Sequence, residues 1–595
     1  MKTQEERTST TMSLDKDLGG EGVTRRSFVG GAGAMMVGLA AMAAGVSTAH
    51  ADEAVEAEAA EEEEATTTGD EDAMEGLAEA AESMDEANAA MSASNMPTIE
   101  SVTGWTGTPD DVLALGVSTM PLDDLNQYRK AYVDAQTDYT CEDGTVIPAC
   151  YVKVRALIHT YGFGLGNTPS DTNFDDIMAN FSEDDCQAFL DMPMGVEFTA
   201  YEMAAETGRD VDECTEICER LADASYLRAF DGNRGRIYNQ VCNVPGVAEY
   251  HLAEYVETDN ELEGLFSSDM IYDLANTGTP PLYYVPVDAS VTSDGTILPY
   301  DDIKEKAKHA NLACIAPCFC RYKALAGAYG HENIPTLEDF ATGEYEDYFS
   351  DLCDQRVETC IMLGDEAQYW IEHGLGREIT GEQAADYIQR SVDDGFMLEV
   401  MTSKEGEAIC SCHAASCMLV QGYLAMGDAD TIAACNFYKQ ISHYTLEVDP
   451  DLCIACGLCV DRCPLYCISI NDEGWAEPAA NCFRCGQCAY VCPQGARKLV
   501  QRDESELAPL PANYLDYTNV AAAYRFETGL ITFPESSDET ASEETAAEDA
   551  AAETEEAEAV EGTSDATETE EAATEETVES EAEEAAEEAD APAAE

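Results

Sequence analysis

Between residues 182 and 240 the apolar positions recur at helical spacing and then give way to short extended runs. Thr199–Thr207 reads as a helix stopped by Gly208, and Val211–Leu227 as an amphipathic helix. Leu227–Gln240 folds back through Asp231-Gly232-Asn233 as a hairpin. The order helix, helix, helix, hairpin predicts a winged-helix-like unit near 182–240. Farther on, Asp365–His373 predicts a helix ending at Gly374. Thr380 and Gln383 form a capping box for a helix whose Ala384, Ala385, Ile388 and Val392 make one apolar stripe, closed by Gly395. Tyr444–Val448 alternates as a strand, and Ile468–Ile470, the turn at Asn471–Gly474 and Trp475 predict a hairpin.

A Gly/Ala/Met-rich apolar run reaches Val46, preceded by Thr24-Arg25-Arg26-Ser27-Phe28-Val29 and followed by Ala49-His50-Ala51. Paired arginines, a weakly hydrophobic core and a small-residue end predict a twin-arginine export signal over 1–51. The glycines and the cleavage-like site argue against an uncleaved anchor. No other run of ~18 apolar residues occurs, so no membrane span is expected in the mature chain. The expected location is periplasmic or otherwise extracytoplasmic. That route carries folded proteins, so a cysteine-rich passenger is expected to leave with its metal already inserted, and outside it a few disulfides are allowed.

Charge changes the picture at both ends. The 595 residues include 120 Asp or Glu against 30 Lys or Arg, a net charge of -90. Residues 52–95 hold 16 acids and 534–595 hold 26, neither with a single base; both are expected to be disordered. Residues 96–533 keep 73 acids against 25 bases. Such a balance excludes nucleic acid as a partner and disfavours anionic lipid. The acidic residues Asp212, Glu213, Glu216, Glu219 and Asp223 face a lone Arg220 on the helix that would read DNA, so the winged-helix-like unit is expected to be structural or to dock a protein.

The chemistry lies in 24 cysteines. Cys453, Cys456, Cys459 and Cys463 precede Pro464, and Cys482, Cys485, Cys488 and Cys492 precede Pro493. The repeated C-x2-C-x2-C-x3-C-P spacing is the bacterial two-cluster ferredoxin signature, in which the fourth cysteine of each run serves the other cluster. One [4Fe-4S] cluster is thus expected on Cys453, Cys456, Cys459 and Cys492, the other on Cys482, Cys485, Cys488 and Cys463. A pair of zinc sites suits the overlapping repeat less well. Cys467 is expected to pack beside a cluster without ligating it.

A second constellation comprises Cys318, Cys320, Cys353, Cys360, Cys410, Cys412, His413 and Cys417. Spacing alone leaves three readings open: a third cluster, a zinc ion, or plain buried thiols. His413 is read as a surface or core histidine. The stretch from about Tyr300 to Arg502 resembles a family of multidomain 4Fe-4S ferredoxin-like proteins of anaerobes. The resemblance rests on Ala316-Pro317-Cys318-Phe319-Cys320-Arg321, on Glu358-Thr359-Cys360, on Gly374–Ile379, and on Ile409-Cys410-Ser411-Cys412 ahead of the ferredoxin module. It implies redox work without naming a substrate, and such proteins often carry a winged-helix unit. This chain departs from the family at His413-Ala414-Ala415-Ser416-Cys417, where relatives have a denser run of cysteines. A candidate third metal centre would draw on Cys318, Cys320, Cys360, Cys410, Cys412 and Cys417, with Arg321 raising its potential.

Other features carry less. Cys214 and Cys218 share a helix face and are expected to be buried; Cys141 and Cys150 bracket a turn that a disulfide can span. Gly162–Gly166 lacks the strand–helix context of a nucleotide loop, and there is no C-x-x-C-H, P-loop, nucleophile elbow or H-E-x-x-H. No catalytic residue is assigned. The expected fold is α+β: a mainly helical region 96–299, a cysteine-bearing helical domain 300–442, a βαβ-βαβ dicluster module 443–505 and an extension 506–533. The expected function is electron transfer with a redox partner bearing a basic docking face. A redox enzyme with a substrate-accessible upstream cluster, or a redox sensor or assembly protein, are the alternatives.

Overall fold

The computed structural model describes residues 109–534, apart from 164, 171, 253–267, 351 and 353. The expected export signal, the acidic segment 52–95, the acidic tail beyond Pro534 and Cys353 lie outside the described residues.

Helices Leu122–Asp134, Ala149–Tyr161 and Thr172–Asn180 lead into the winged-helix-like order: Glu183–Asp191, Ala200–Thr207, Val211–Asp223, then strands β1 (Leu227–Gly232) and β2 (Gly235–Gln240). Local sequence explains the starts and stops. Ser182 with Asp185, and Thr199 with Glu202, form capping boxes, and Gly208 ends the second helix at φ 72°. Phe198 exchanges two backbone hydrogen bonds with Tyr238 (2.8 and 2.7 Å), a single bridge alongside the hairpin. Cys214 and Cys218 are buried on the inner face of Val211–Asp223, while Asp212, Glu213, Glu216 and Asp223 point to solvent. The outer face of the helix is therefore acidic. Cys150 lies in the helix Ala149–Tyr161, and its thiol contact is with Cys186.

The middle of the chain departs from the helical domain expected for 300–442. It is built on a six-stranded sheet: β3 (Leu282–Val285), β4 (Ala313–Pro317), β5 (Glu358–Leu363), β6 (Arg377–Ile379), β7 (Met397–Met401) and β8 (Ala408–Cys412). The order is β6-β4-β5-β8-β7-β3, with every neighbouring pair antiparallel. β3 belongs to the segment expected to be helical, so 96–299 and 300–442 share one sheet. One face carries Val285, Ile315, Ile361, Leu398, Val400 and Ile409 and packs against the helices Ile303–His309 and Gly381–Asp394. The second helix has the expected capping box, stripe and Gly395 stop. The opposite face carries the chemistry. The motif residues of this region meet across β4: Glu358 of β5 accepts from Arg377 of β6 at 2.8 Å. Gly376 lies so close to β4 that a Cβ would stand 2.5 Å from Cys314 Sγ.

The expected extension is part of the core as well. Helix Tyr514–Glu527 is buried along nearly its whole length. Its Arg525 donates to the carbonyl oxygens of His159 and Gly162 and pairs with Asp273 at 2.8 Å, and Arg129 donates to Asn519 Oδ1 at 2.9 Å. Arg525→Met is expected to destabilise the chain by about 3–5 kcal/mol in chemical denaturation, because it strips a buried carboxylate of its guanidinium.

Candidate metal centres

The ferredoxin module runs β9 (Tyr444–Val448), helix Leu458–Arg462, β10 (Ile468–Ile470), β11 (Ala476–Pro478), helix Gln487–Tyr490, β12 (Arg497–Gln501). β9 pairs with β12, and β10 with β11, both antiparallel. The two cysteine runs have the same backbone. Ala455 and Arg484 are left-handed at φ 51° and 62°, Gly457 and Gly486 at 79° and 87°, and Tyr466 and Gly495 at 55° and 60°. Both loops thus hold non-glycine residues in the left-handed region, at matching positions of the repeat.

A small pocket is lined by Cys463, Cys482, Cys485 and Cys488, the four thiols expected to share a cluster. Cys463, from the first run, lies among the cysteines of the second, as the crossover requires. Cys467 also lines this pocket, with its Sγ 3.6 Å from Cys463 Sγ and its thiol against Cys482. In the internal repeat it stands where the second run has Ala496. The first set lies at the surface. Cys456 is exposed, Cys459 is buried, and Cys453 Sγ accepts from the Ala476 amide at 3.4 Å. Cys492 follows the second short helix as Cys463 follows the first.

Arg497 was not foreseen. Its guanidinium is buried, donates through Nη2 to the Ala476 carbonyl and lies against both Cys459 and Cys488, one ligand from each expected set. Nη1 has no hydrogen-bond partner in the protein. A buried cation between two groups of thiols fits anionic clusters on either side of it.

The six upstream cysteines close into a ring. Thiol contacts run from Cys318 to Cys360, Cys410, Cys412, Cys417, Cys320 and back to Cys318. Hydrogen bonds from the neighbouring thiols hold Cys318 and Cys417 well below the usual thiol range and bring Cys410 to about 5. Sheet register builds this ring. Ala316 of β4 stands opposite Cys360 of β5, Ile361 opposite Ile409 of β8, Cys410 opposite Glu399 of β7, and Glu399 opposite Tyr284 of β3. Directly opposed residues share a face, so Cys360, Cys410, Glu399 and Tyr284 form one transverse row. Cys318 and Cys417 stand at the N-caps of the helices Phe319–Tyr329 and Met418–Ala425, Cys320 lies in the first turn of the former, and Cys412 ends β8. His413 stays outside the ring: its Nδ1 accepts from the Ala415 amide at 3.1 Å, and its ring meets Tyr466 edge-on.

Arg321 ties the ring's four segments together. From beside Cys320 it donates to Thr359 Oγ1 (2.6 Å), next to Cys360; to the Ser411 carbonyl (2.5 Å), between Cys410 and Cys412; and to Ser416 Oγ (3.3 Å), next to Cys417. Gln355, the Arg356 carbonyl and the face of Phe396 complete its surroundings. Every one of these acceptors is neutral, and its positive charge stabilises the thiolate of Cys318.

Glu399 is the residue that sequence reasoning missed. It is buried, its Oε2 accepts from Cys412 Sγ at 2.9 Å, and burial pushes its carboxyl well above the usual range. The available signal was a lone acid in the apolar run Phe396-Met397-Leu398-Glu399-Val400-Met401.

Comparison with known proteins agrees with the ferredoxin module. Residues 446–469 match the family described as "4Fe-4S binding domain". A "Probable ferredoxin" of Methanosarcina thermophila is 57% identical over 30 residues, 5% of this chain and 52% of that ferredoxin. The chain thus spans about half the length of the curated relative it matches. No solved structure matches the chain. Residues 446–469 thus carry a 4Fe-4S binding domain of the ferredoxin kind.

Proposed function

We propose that this is an exported electron-transfer protein with two [4Fe-4S] clusters in the ferredoxin module and a third metal centre at the six-thiol ring. The observation that carries this reading is the packing between ring and module. Phe483, between Cys482 and Cys485, has its ring centroid 4.8 Å from that of Tyr284 and 5.8 Å from that of Tyr423. Beyond it, the Ala414 amide of the ring loop donates to the Pro464 carbonyl, next to Cys463, at 3.0 Å. The buried ring therefore abuts the second ligand set, which abuts the first through Arg497.

When bound, each cluster accepts and gives up one electron. The chain's residues set the order. Tyr284, Tyr423 and Phe483 pack together between ring and second set. Arg497 spans the second and first sets. Cys456 brings the first set to the surface.

The surface there is suited to a partner. Leu452, Ile454 and Leu458 are 46%, 60% and 48% exposed around the first set, and Asp449, Asp451 and Asp461 are exposed beside them. An apolar patch rimmed by acids fits a redox protein with a basic docking face. Ile454→Glu is expected to slow electron exchange with such a partner several-fold while leaving cluster spectra unchanged. Stopped-flow rates should also fall as salt rises, and rates independent of salt would exclude electrostatic docking.

Iron and acid-labile sulfide per chain, followed by EPR during a reductive titration, test the whole reading. About 12 irons, four to each cubane, are expected in anaerobically prepared protein. About eight would remove the third cluster, and none in folded protein would overturn the assignment.

A further inference from the structure

The ring has more donors than one cubane uses. Six thiols and the Glu399 carboxylate make seven, whereas a [4Fe-4S] cluster takes four protein ligands. Among the described residues, ligand atoms of Glu399, Cys412 and Cys417 lie within 4.8 Å of one another, and all three residues are buried. The four thiols that remain, Cys318, Cys320, Cys360 and Cys410, are consecutive around the ring.

A second observation points to the same corner. Glu399 Oε1, the Tyr284 hydroxyl and the Tyr423 hydroxyl are buried; Tyr284 faces the Glu399 carboxyl as its hydrogen-bonding neighbour, and the Tyr423 hydroxyl has no hydrogen-bond partner. Both tyrosines lie within electrostatic reach of Glu399, Cys412 and Cys417. Buried polar atoms are normally paired, so an unpartnered hydroxyl beside a tyrosine–carboxyl pair and two thiols describes a corner shaped for something polar. Among the described residues no cation faces the carboxyl, and the Tyr423 hydroxyl lacks an acceptor. A metal ion on Glu399, bearing an oxygen or anionic ligand toward the tyrosines, supplies both.

We propose that Glu399, Cys412 and Cys417 hold a divalent metal ion of their own, with one coordination position open to a water or small anion that accepts hydrogen bonds from Tyr284 and Tyr423. This rests on reading the ring as a metal centre, and it leaves four thiols for the third cluster. Three protein ligands with one exchangeable position is the arrangement of metal sites that bind substrate, whereas closed four-ligand sites are structural. Two thiolates and one carboxylate suit zinc or iron(II) and disfavour magnesium or calcium. The same tyrosines pack on Phe483 of the second ligand set, so a small molecule bound here would sit next to the buried end of the electron path.

Cobalt(II) is the probe, because its visible bands report geometry and its sulfur charge-transfer intensity counts thiolate ligands. Full-length protein, prepared anaerobically and treated with a chelator that leaves the cluster absorbance intact, is reloaded with cobalt(II). The expected result is one cobalt per chain with the intensity of two thiolates. Glu399→Gln is expected to weaken cobalt binding at least tenfold with iron and sulfide unchanged, which also shows that the variant folds. Azide should shift the cobalt bands, and Tyr284→Phe with Tyr423→Phe should weaken azide several-fold while sparing cobalt.

Unchanged cobalt affinity in Glu399→Gln, or the intensity of four thiolates, overturns the proposal. So does about 12 irons per chain with no cobalt uptake, which leaves the three-cluster reading intact. Glu399-dependent cobalt binding with only about eight irons supports the mononuclear site and removes the third cluster instead.

Discussion

Replacing Arg321 by Met is expected to empty the upstream centre and leave the ferredoxin module loaded. Iron per chain should fall from about 12 to about eight, with the EPR signals of the remaining clusters unchanged. The guanidinium reaches a neighbour of every cysteine-bearing segment: Thr359, Ser411 and Ser416, from a position beside Cys320. Methionine fills similar volume but donates nothing, so buried carbonyl and hydroxyl oxygens lose their partner. Each such loss costs about 1–3 kcal/mol, and together they release the loops that hold the thiols. Lysine keeps the charge but not the planar fork, and should rescue stability better than iron content. An unchanged iron count in Arg321→Met would show that the sheet alone positions the ring.

Arg497→Leu should lower the reduction potentials of both ferredoxin clusters together. A unit positive charge lies against Cys459 of one expected set and Cys488 of the other. Removing it makes each added electron less welcome. At a few ångströms and an effective dielectric near 20 the loss is a few kcal/mol, on the order of 100 mV for a one-electron step. Spectroelectrochemistry would show two waves displaced in the same direction. Displacement of one wave alone would mean that the guanidinium serves a single set. Lysine at this position should recover part of the shift.

The chain announces its local features and hides its long-range ones. Spacing of the eight ferredoxin cysteines, the Thr380 capping box, the Gly208 and Gly395 stops and the helix–helix–helix–hairpin order near 182–240 all depend on residues a few positions apart, and the structure has each of these local elements. The six-stranded sheet depends on pairing between segments far apart in sequence. Its strands are three to six residues long and largely buried on both faces, so they lack the alternation that marks a half-buried strand. That is why the middle region reads as helical. The same pairing closes the thiol ring, so the six cysteines are legible as candidates but their grouping is not. The final helix, Tyr514–Glu527, escapes notice for a related reason: it is buried all round by Ala, Thr, Tyr and Asn and has no apolar stripe.

The register of β7 and β8 bears on the order of assembly. Cys410 and Cys412 face the ring only because Ile409 opposes Val400, and a slip by one residue would turn Ile409 and Ser411 inward and drive both thiols into the helix-packed core. Backbone pairing and apolar burial on the far face fix that register without any metal. On the proposed reading, the ring is therefore a mould cast before it is filled, its strands in register before any metal arrives. The ferredoxin module has short strands and left-handed loops around a cavity, and its thiols have no such frame, so there folding and loading are one event. Iron starvation should then yield a chain with an intact, empty ring beside an unfolded module.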